Sequence, residues 1–321
     1  MEVAIEKSLI DDKVLAEAVS TIIEEGLTEI IPEYSPEQGF TYPVLSDVAS
    51  KYGVPEIDIL EDLVKRGVLK RRPYKRVVEC PKCGSTRLVA SFRCPECGST
   101  NLSRQTLVAH VTCGYMGVLE SMKVEHGKKI CPKCNLPLGK PGEDYQVIGA
   151  IYACEDCGNR SEMPVPAYEC VDCGNVFDHR GAVYTPYYAY DVVLDALLKE
   201  SKRLLMSLIT SELKQRGMVV EVGVTVRGRS GLSHPTDIKV SKDGRDVLID
   251  IVTNQSEYLT VIGKRMDMEL GNHIIVVSPT VTMGSIPGQL EARGRIVKAR
   301  RIEEAVEQTV REVEEVFSSS Q

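Results

Sequence analysis

Apolar residues recur at helical spacing in three stretches near the start of the chain: VLAEAVSTII within Asp11 to Glu25, Val44 to Lys51, and Glu56 to Arg66. Tyr52-Gly53-Val54-Pro55 punctuates the last two. From Cys80 to about Thr185 the texture changes to short strands without helical periodicity. A long amphipathic helix is predicted over Tyr187 to Arg216, with Val193, Leu197, Leu204 and Leu208 on one stripe. Beyond it come strand-like runs VVEVGVTV, TDIKV and VLIDIV, a helix near Glu257 to Leu270, the strands HIIVVS and RIVKA, and a final helix from Ile302.

These patterns predict a multi-domain α+β protein with boundaries at 1–76, 77–185 and 186–321. The first segment resembles a winged helix-turn-helix. Its basic run KRGVLKRRPYKR lies where a wing would touch phosphate and nominates Lys65, Arg66, Lys70, Arg71, Arg72, Lys75 and Arg76 for nucleic-acid contact. A structural adaptor, with the basic strand as a linker, is the competing reading.

Composition narrows the picture. The chain of 321 residues has no Trp and four Phe, so aliphatic side chains must do most of the packing. Its acidic opening, MEVAIEKSLIDDK, and the lack of any run near the ~18 apolar residues of a membrane helix predict a cytoplasmic protein without membrane association. A formal charge of −7 argues against indiscriminate coating of nucleic acid.

Ten of the eleven cysteines form C-x-x-C pairs: Cys80/Cys83, Cys94/Cys97, Cys131/Cys134, Cys154/Cys157 and Cys170/Cys173. The eleventh, Cys113, follows His110 by three, so His110-Val-Thr-Cys113-Gly114 reads as a sixth knuckle. Two intervening residues let a tight turn aim both donors at one ion, and the next residue commonly needs positive φ. Gly84, Gly98, Gly114, Gly158 and Gly174 supply that residue, with Asn135 in the remaining knuckle. Three closed, structural zinc sites are therefore expected, with iron–sulfur binding as the competitor. Sequential pairing joins the first two knuckles, the middle two and the last two; interleaved pairing is the alternative. His126 lacks a knuckle partner, and His179 and His273 read as surface or core residues.

The segments YPVLSDVASKYG, ILEDLVKRGVL, CPKCGS, CPECGS, AHVTCGY and CPKCNLPLGKPGEDY together resemble the thaumarchaeal output domain family over about residues 40 to 180. The resemblance implies a metal-binding, regulatory module of archaeal signalling proteins.

In the last segment, Lys242-Asp243-Gly244-Arg245 predicts a two-residue hairpin with Lys242 facing Arg245, which sets Asp237 opposite Asp250. Facing carboxylates repel unless something positive lies between them, and a divalent metal would serve. Alternation puts Ile238, Val240, Val247, Ile249 and Ile251 on the core face, and Lys239, Leu248 and Val252 on that of the two acids. The long helix, Gly228-Arg229-Ser230-Gly231, Pro235-Thr236-Asp237 and Leu248-Ile249-Asp250 resemble the restriction-endonuclease-like superfamily, particularly Mrr-type enzymes and archaeal Holliday-junction resolvases. That resemblance implies Mg²⁺ held by Asp237 and Asp250, with a lysine two positions later, where this chain has Val252. Lys239 is the first candidate substitute and Lys264 the second; Glu212 lies too near its helix end to replace the acid such enzymes carry in the first helix. Arg227 and Arg229 flank the Gly loop as further phosphate candidates, and Arg293, Arg295, Lys298, Arg300 and Arg301 form a second basic run.

The expectation is a zinc-binding regulatory or nucleic-acid-processing factor, its partner nucleic acid and DNA ahead of RNA, with an impaired nuclease-like domain. An active Mg²⁺-dependent endonuclease and a protein-interaction scaffold are the alternatives. A dimer is compatible with the sequence.

Overall fold

The computed structural model describes residues 10–268, 272–281 and 295–319. Elements run α1 (Asp12–Glu24), β1 (Glu29–Ile30), β2 (Glu33–Ser35), β3 (Gly39–Thr41), α2 (Pro43–Tyr52), α3 (Glu56–Lys65) and β4 (Leu69–Glu79). There follow β5 (Leu88–Arg93), β6 (Leu102–His110), β7 (Met116–Val118), β8 (Val124–Glu125), β9 (Lys128–Ile130) and β10 (Pro137–Leu138). Next are β11 (Tyr145–Cys154), β12 (Arg160–Ser161), β13 (Val165–Cys170) and β14 (Val176–Asp178). The last stretch holds β15 (Val183–Val192), α4 (Leu194–Gln215), β16 (Val219–Arg227), β17 (Ser233–Lys242), β18 (Arg245–Val252), α5 (Gln255–Met268), β19 (His273–Val277), β20 (Arg295–Lys298) and α6 (Ile302–Ser318).

Two compact units result. One takes the chain through Ser35, Phe40–Lys75 and everything from Pro186; the other takes Pro36–Gly39 and Arg76–Thr185. The segments read from sequence as a first and a third domain thus contribute to one core. Leu15, Val19 and Ile22 of α1 share a buried cluster with Leu204, Leu205 and Ile209 of α4, Val310 and Val313 of α6, and Ile238, Val247 and Ile249 of the sheet. Full burial of each such side chain contributes about 1.5–3 kcal/mol.

Local signals account for the helices. Asp11 caps α1 by accepting from the Lys13 N–H at 2.8 Å. Pro43 opens α2 at its first turn, and Gly53 closes it in the left-handed region, φ 64°. The expected helix from Tyr187 begins only at Leu194, because Tyr-Thr-Pro-Tyr-Tyr-Ala-Tyr-Asp forms strand β15. Its aromatic-rich run suits a pleated surface, and Ala189 and Tyr190 are fully buried there. β15 lies between β1 and β4 in a three-stranded sheet, so the basic strand β4 pairs with a distant segment and not with a neighbour in a wing hairpin.

In the larger sheet the order is β16-β17-β18-β19-β20. The hairpin register follows the sequence expectation, Lys242 facing Arg245 and Ile238 facing Ile249. β19 and β20 continue parallel to β18. One sheet face joins the large cluster; the other packs Val252, Ile275 and Val277 against Tyr258 of α5.

The second unit has little apolar core. Its largest buried cluster consists of Val108, Met122, Cys131 and Leu138. It is built from a chain that runs out and returns: β5 pairs antiparallel with β13, and β6 with β11.

Candidate metal centres and an acidic cleft

All six knuckles adopt one turn. In each, the residue after the second ligand donates its N–H to the carbonyl of the first at 2.8–2.9 Å: Gly84, Gly98, Gly114, Asn135, Gly158 and Gly174. The five glycines have φ of 66–74° and Asn135 has 59°, which confines the position to glycine or a residue that tolerates the left-handed region. His110 thus begins a knuckle of the same geometry as the five that begin with cysteine.

Twelve donors converge in three sets, each with its ligand atoms within 4.8 Å of one another: Cys80/Cys83 with Cys170/Cys173, Cys94/Cys97 with Cys154/Cys157, and His110/Cys113 with Cys131/Cys134. The sequential pairing of the outer knuckles is therefore corrected to a nested one. The cause is strand pairing: Leu88↔Cys170 in β5–β13 and Leu102↔Cys154 in β6–β11 place distant knuckles side by side.

The donor spacing fits zinc. Sulfurs about 2.3 Å from a tetrahedral ion stand about 3.8 Å apart. Here Cys80–Cys173, Cys83–Cys170, Cys94–Cys157 and Cys97–Cys154 sulfurs lie 3.6, 3.5, 3.7 and 3.6 Å apart. In the third set His110 offers Nδ1, 3.3 Å from Cys113 Sγ and 3.4 Å from Cys134 Sγ. The Cys97 and Glu96 backbone N–H groups outweigh burial and hold the Cys94 thiol down to about 6, whereas at Cys157 the Asn159 N–H is outweighed by the neighbouring Cys97 sulfur and burial, which push the thiol up to about 12. A thiolate is the form that binds metal. Four protein ligands close each site, so the metal's chemistry would be structural, leaving no position for an activated water.

In the α/β portion, Asp237 and Asp250 meet where the β17–β18 ladder opens. The Asp237 N–H donates to Asp250 Oδ1 at 3.2 Å, and Asp237 Oδ2 accepts from the Ile251 N–H at 2.8 Å. Each carboxylate already has a cation. Lys202 of α4 stands 2.9 Å from Asp237, and Lys264 of α5 stands 2.6 Å from Asp250. His273 Nε2 adds a further contact to Asp250 at 2.7 Å. Burial raises the Asp250 carboxyl, but hydrogen bonds from His273 and Lys264 outweigh it and hold it below the usual carboxylate range. The positive charge expected beside the facing acids is supplied by lysine ammonium groups, where the sequence suggested a divalent metal.

The two acids, with Lys202, Lys264 and His234, line a cleft of about 720 Å³. Asp267 anchors its edge, accepting from His234 Nε2 at 2.6 Å and from the Ser230 hydroxyl and N–H at 2.7 and 2.8 Å. These bonds, that of His234 first, hold Asp267 down to about 2.

The sequence model of a family described as thaumarchaeal output domain 1 matches residues 6–192, more than half of the chain. The chain belongs to that family. No curated protein matches it. Among solved structures, the crystal structure of a protein of unknown function, AF1548, aligns at 15% identity and a TM-score of 0.25, over 33% of this chain and 66% of that one. The chain thus spans just under two thirds of that protein's length.

In this output-domain protein the nominated basic residues do not form one free patch. Arg66 pairs with Asp62 and Glu200 at 2.8 and 3.1 Å, Arg71 with Glu61 at 3.3 Å, and Arg72 with Asp191 at 3.0 Å and with Glu29. Lys75 lies over the Phe40 and Tyr74 rings, and Arg76 reaches the Tyr184 carbonyl. Lys65, Lys70, Arg227 and Arg229 are exposed. Helix α3, which a helix-turn-helix would offer to DNA, carries Glu56, Asp58, Glu61 and Asp62. In the late basic run, Arg295 pairs with Glu312 and Glu315, Arg301 with Glu24 and Glu303, and Arg293 lies outside the described residues.

Lys239 is drawn off to Asp246 and Glu221, at 3.2 and 3.5 Å, so Lys264 holds the place proposed for it beside Asp250. Lys202, His234 and Asp267 carried no motif in the sequence, since each reaches the cleft from a separate element. His273 is a core histidine, fully buried, whose partner is Asp250. Among the described residues, no helix is long and apolar enough to cross a membrane.

Proposed function

We propose that this zinc-organised output protein binds nucleic acid, DNA ahead of RNA, through a restriction-endonuclease-like portion whose centre is set for binding and not for cleavage. The observation that carries the reading is the pairing of Asp237 with Lys202 and of Asp250 with Lys264, which neutralises both acids without a metal. The zinc sites shape a surface and leave recognition to other residues. Exposed Lys65 and Lys70, near the end of α3 and the start of β4, and Arg227 and Arg229, at the end of β16 and just after it, are the phosphate-binding residues the reading assigns.

The test is fluorescence polarisation with labelled duplex, single-stranded and branched DNA and with RNA, over a range of salt. Affinity should fall as salt rises, and neutralising Lys65 with Lys70, or Arg227 with Arg229, to Gln should reduce the salt slope by about one for each phosphate no longer neutralised. No binding to any of the four at low salt would overturn it and leave the protein-scaffold reading.

A second reading is an active endonuclease, favoured by Lys264, whose ammonium stands beside Asp250 although Val252 occupies the usual lysine position. Asp237 and Asp250 would hold Mg²⁺, which would polarise phosphate and supply a nucleophile from water. Cleavage of any substrate in the panel with Mg²⁺ or Mn²⁺, abolished by Asp237→Asn, would establish it; no cleavage across the panel would dispose of it.

A further inference from the structure

The six knuckles are of different kinds, and the outer four match in complementary pairs. Two read C-P-x-C-G-S, at Cys80–Ser85 and Cys94–Ser99; two read C-x-D-C-G-N, at Cys154–Asn159 and Cys170–Asn175. Each zinc set joins one of the first kind to one of the second.

The same contacts recur at both junctions. Ser85 Oγ donates to Asp172 Oδ2 and Ser99 Oγ to Asp156 Oδ2, each at 2.5 Å. The residue seven beyond the first cysteine reinforces the bond: Asn101 Nδ2 donates to Asp156 at 2.8 Å, and the Arg87 guanidinium donates to Asp172. The carbonyls of those two residues accept from the Glu155 and Val171 N–H groups, both at 3.0 Å. On the far side, Asn159 Nδ2 points at Cys94 Sγ and Asn175 Nδ2 at Cys80 Sγ, 3.9 and 3.8 Å away. The central set has no acid between its ligands, only Val111, Thr112, Pro132 and Lys133, and so cannot form this brace.

We infer that Asp156 and Asp172 are positioning residues for metal at the two outer sites, and that their brace to Ser99 and Ser85 selects nested over sequential knuckle pairing. Sequential pairing would set Asp156 beside Asp172 at one four-thiolate site, itself anionic with zinc, and would leave two serines and no acceptor at the other. Nested pairing gives each carboxylate its hydroxyl donor and each first sulfur an amide donor. Partners beyond the ligands that orient them typically carry about 10–100-fold in metal affinity.

The test uses the full chain, stripped of metal and titrated with Co²⁺, then with Zn²⁺ in competition. Four-thiolate and three-thiolate, one-imidazole Co²⁺ sites absorb at different ligand-field energies, so the outer and central sites are read separately. Asp156→Ala with Asp172→Ala should weaken the two four-thiolate sites about 10–100-fold and leave the central one unchanged. Asp156→Asn with Asp172→Asn, which keeps an acceptor for each serine, should restore most of the loss. Unchanged four-thiolate affinities, or an equal loss at the central site, would overturn the assignment. Should the alanine variant fail to fold, Ser85→Ala with Ser99→Ala removes only the donors; a smaller loss confined to the four-thiolate bands supports the brace, and no loss refutes it.

Discussion

The ammonium of Lys264 stands 2.6 Å from Oδ2 of Asp250, and both side chains are only 5% exposed. The lysine also donates to the Thr236 hydroxyl at 2.6 Å and to the Pro235 carbonyl at 2.5 Å, so the buried ammonium has its three donors placed. Removing the acid alone leaves that charge uncompensated. Asp250→Ala is therefore expected to destabilise the α/β portion by about 3–5 kcal/mol, measured by urea denaturation. A loss below about 1 kcal/mol would mean that the pair is hydrated in solution.

The same pair sets an acid limb. The folded carboxyl of Asp250 lies below its unfolded value of about 3.9, so its contribution is complete above about pH 5 and is lost as pH falls through the folded value. Denaturation midpoints should show no change from this group between pH 7 and about pH 5, then a decline below about pH 4. That decline should be shallower in Asp250→Asn; an identical decline would assign it to other carboxylates.

Metal removal is expected to act on one unit. The cysteine-rich unit's largest buried cluster is Val108, Met122, Cys131 and Leu138, too little apolar burial to hold its strands without metal in the three ligand sets. Chelation should release three zinc ions per chain, as the three ligand sets require. Hydrogen exchange should then lose protection over β5–β14 while amides of β18 and β19 keep theirs. Protection retained throughout would contradict a metal-built unit.

Truncation tests the shared core. Ending the chain at Val192, where the family match stops, strips α4 and α6 from Leu15, Val19 and Ile22 of α1. The fragment is expected to aggregate or self-associate through that apolar face, which light scattering would detect. A monomeric fragment with native helix content would show that α1–α3 close on themselves.

Local features were legible in the sequence. The three N-terminal helices, the knuckle turns and their positive-φ residues, His110 as the first residue of a knuckle and the Asp237–Asp250 juxtaposition each follow from spacings of a few residues or from one two-residue hairpin. Spacing ranked Lys239 ahead of Lys264, but it is Lys264 that stands beside Asp250. Alternation puts Lys239 on the acids' face, but two positions nearer the turn, where Asp246 competes for it; Lys264 arrives from a helix whose packing no spacing states.

Spacing alone was enough to name the twelve candidate ligand residues and the way each pair is aimed, because a knuckle is a turn closed within one span of five residues. Which knuckles meet was settled by long-range folding, since that depends on β5 finding β13 and β6 finding β11 across long separations. The membership of α1 in the same core as α4 and α6 was settled there too, because an amphipathic stripe records that a face must be buried and leaves the covering element to packing.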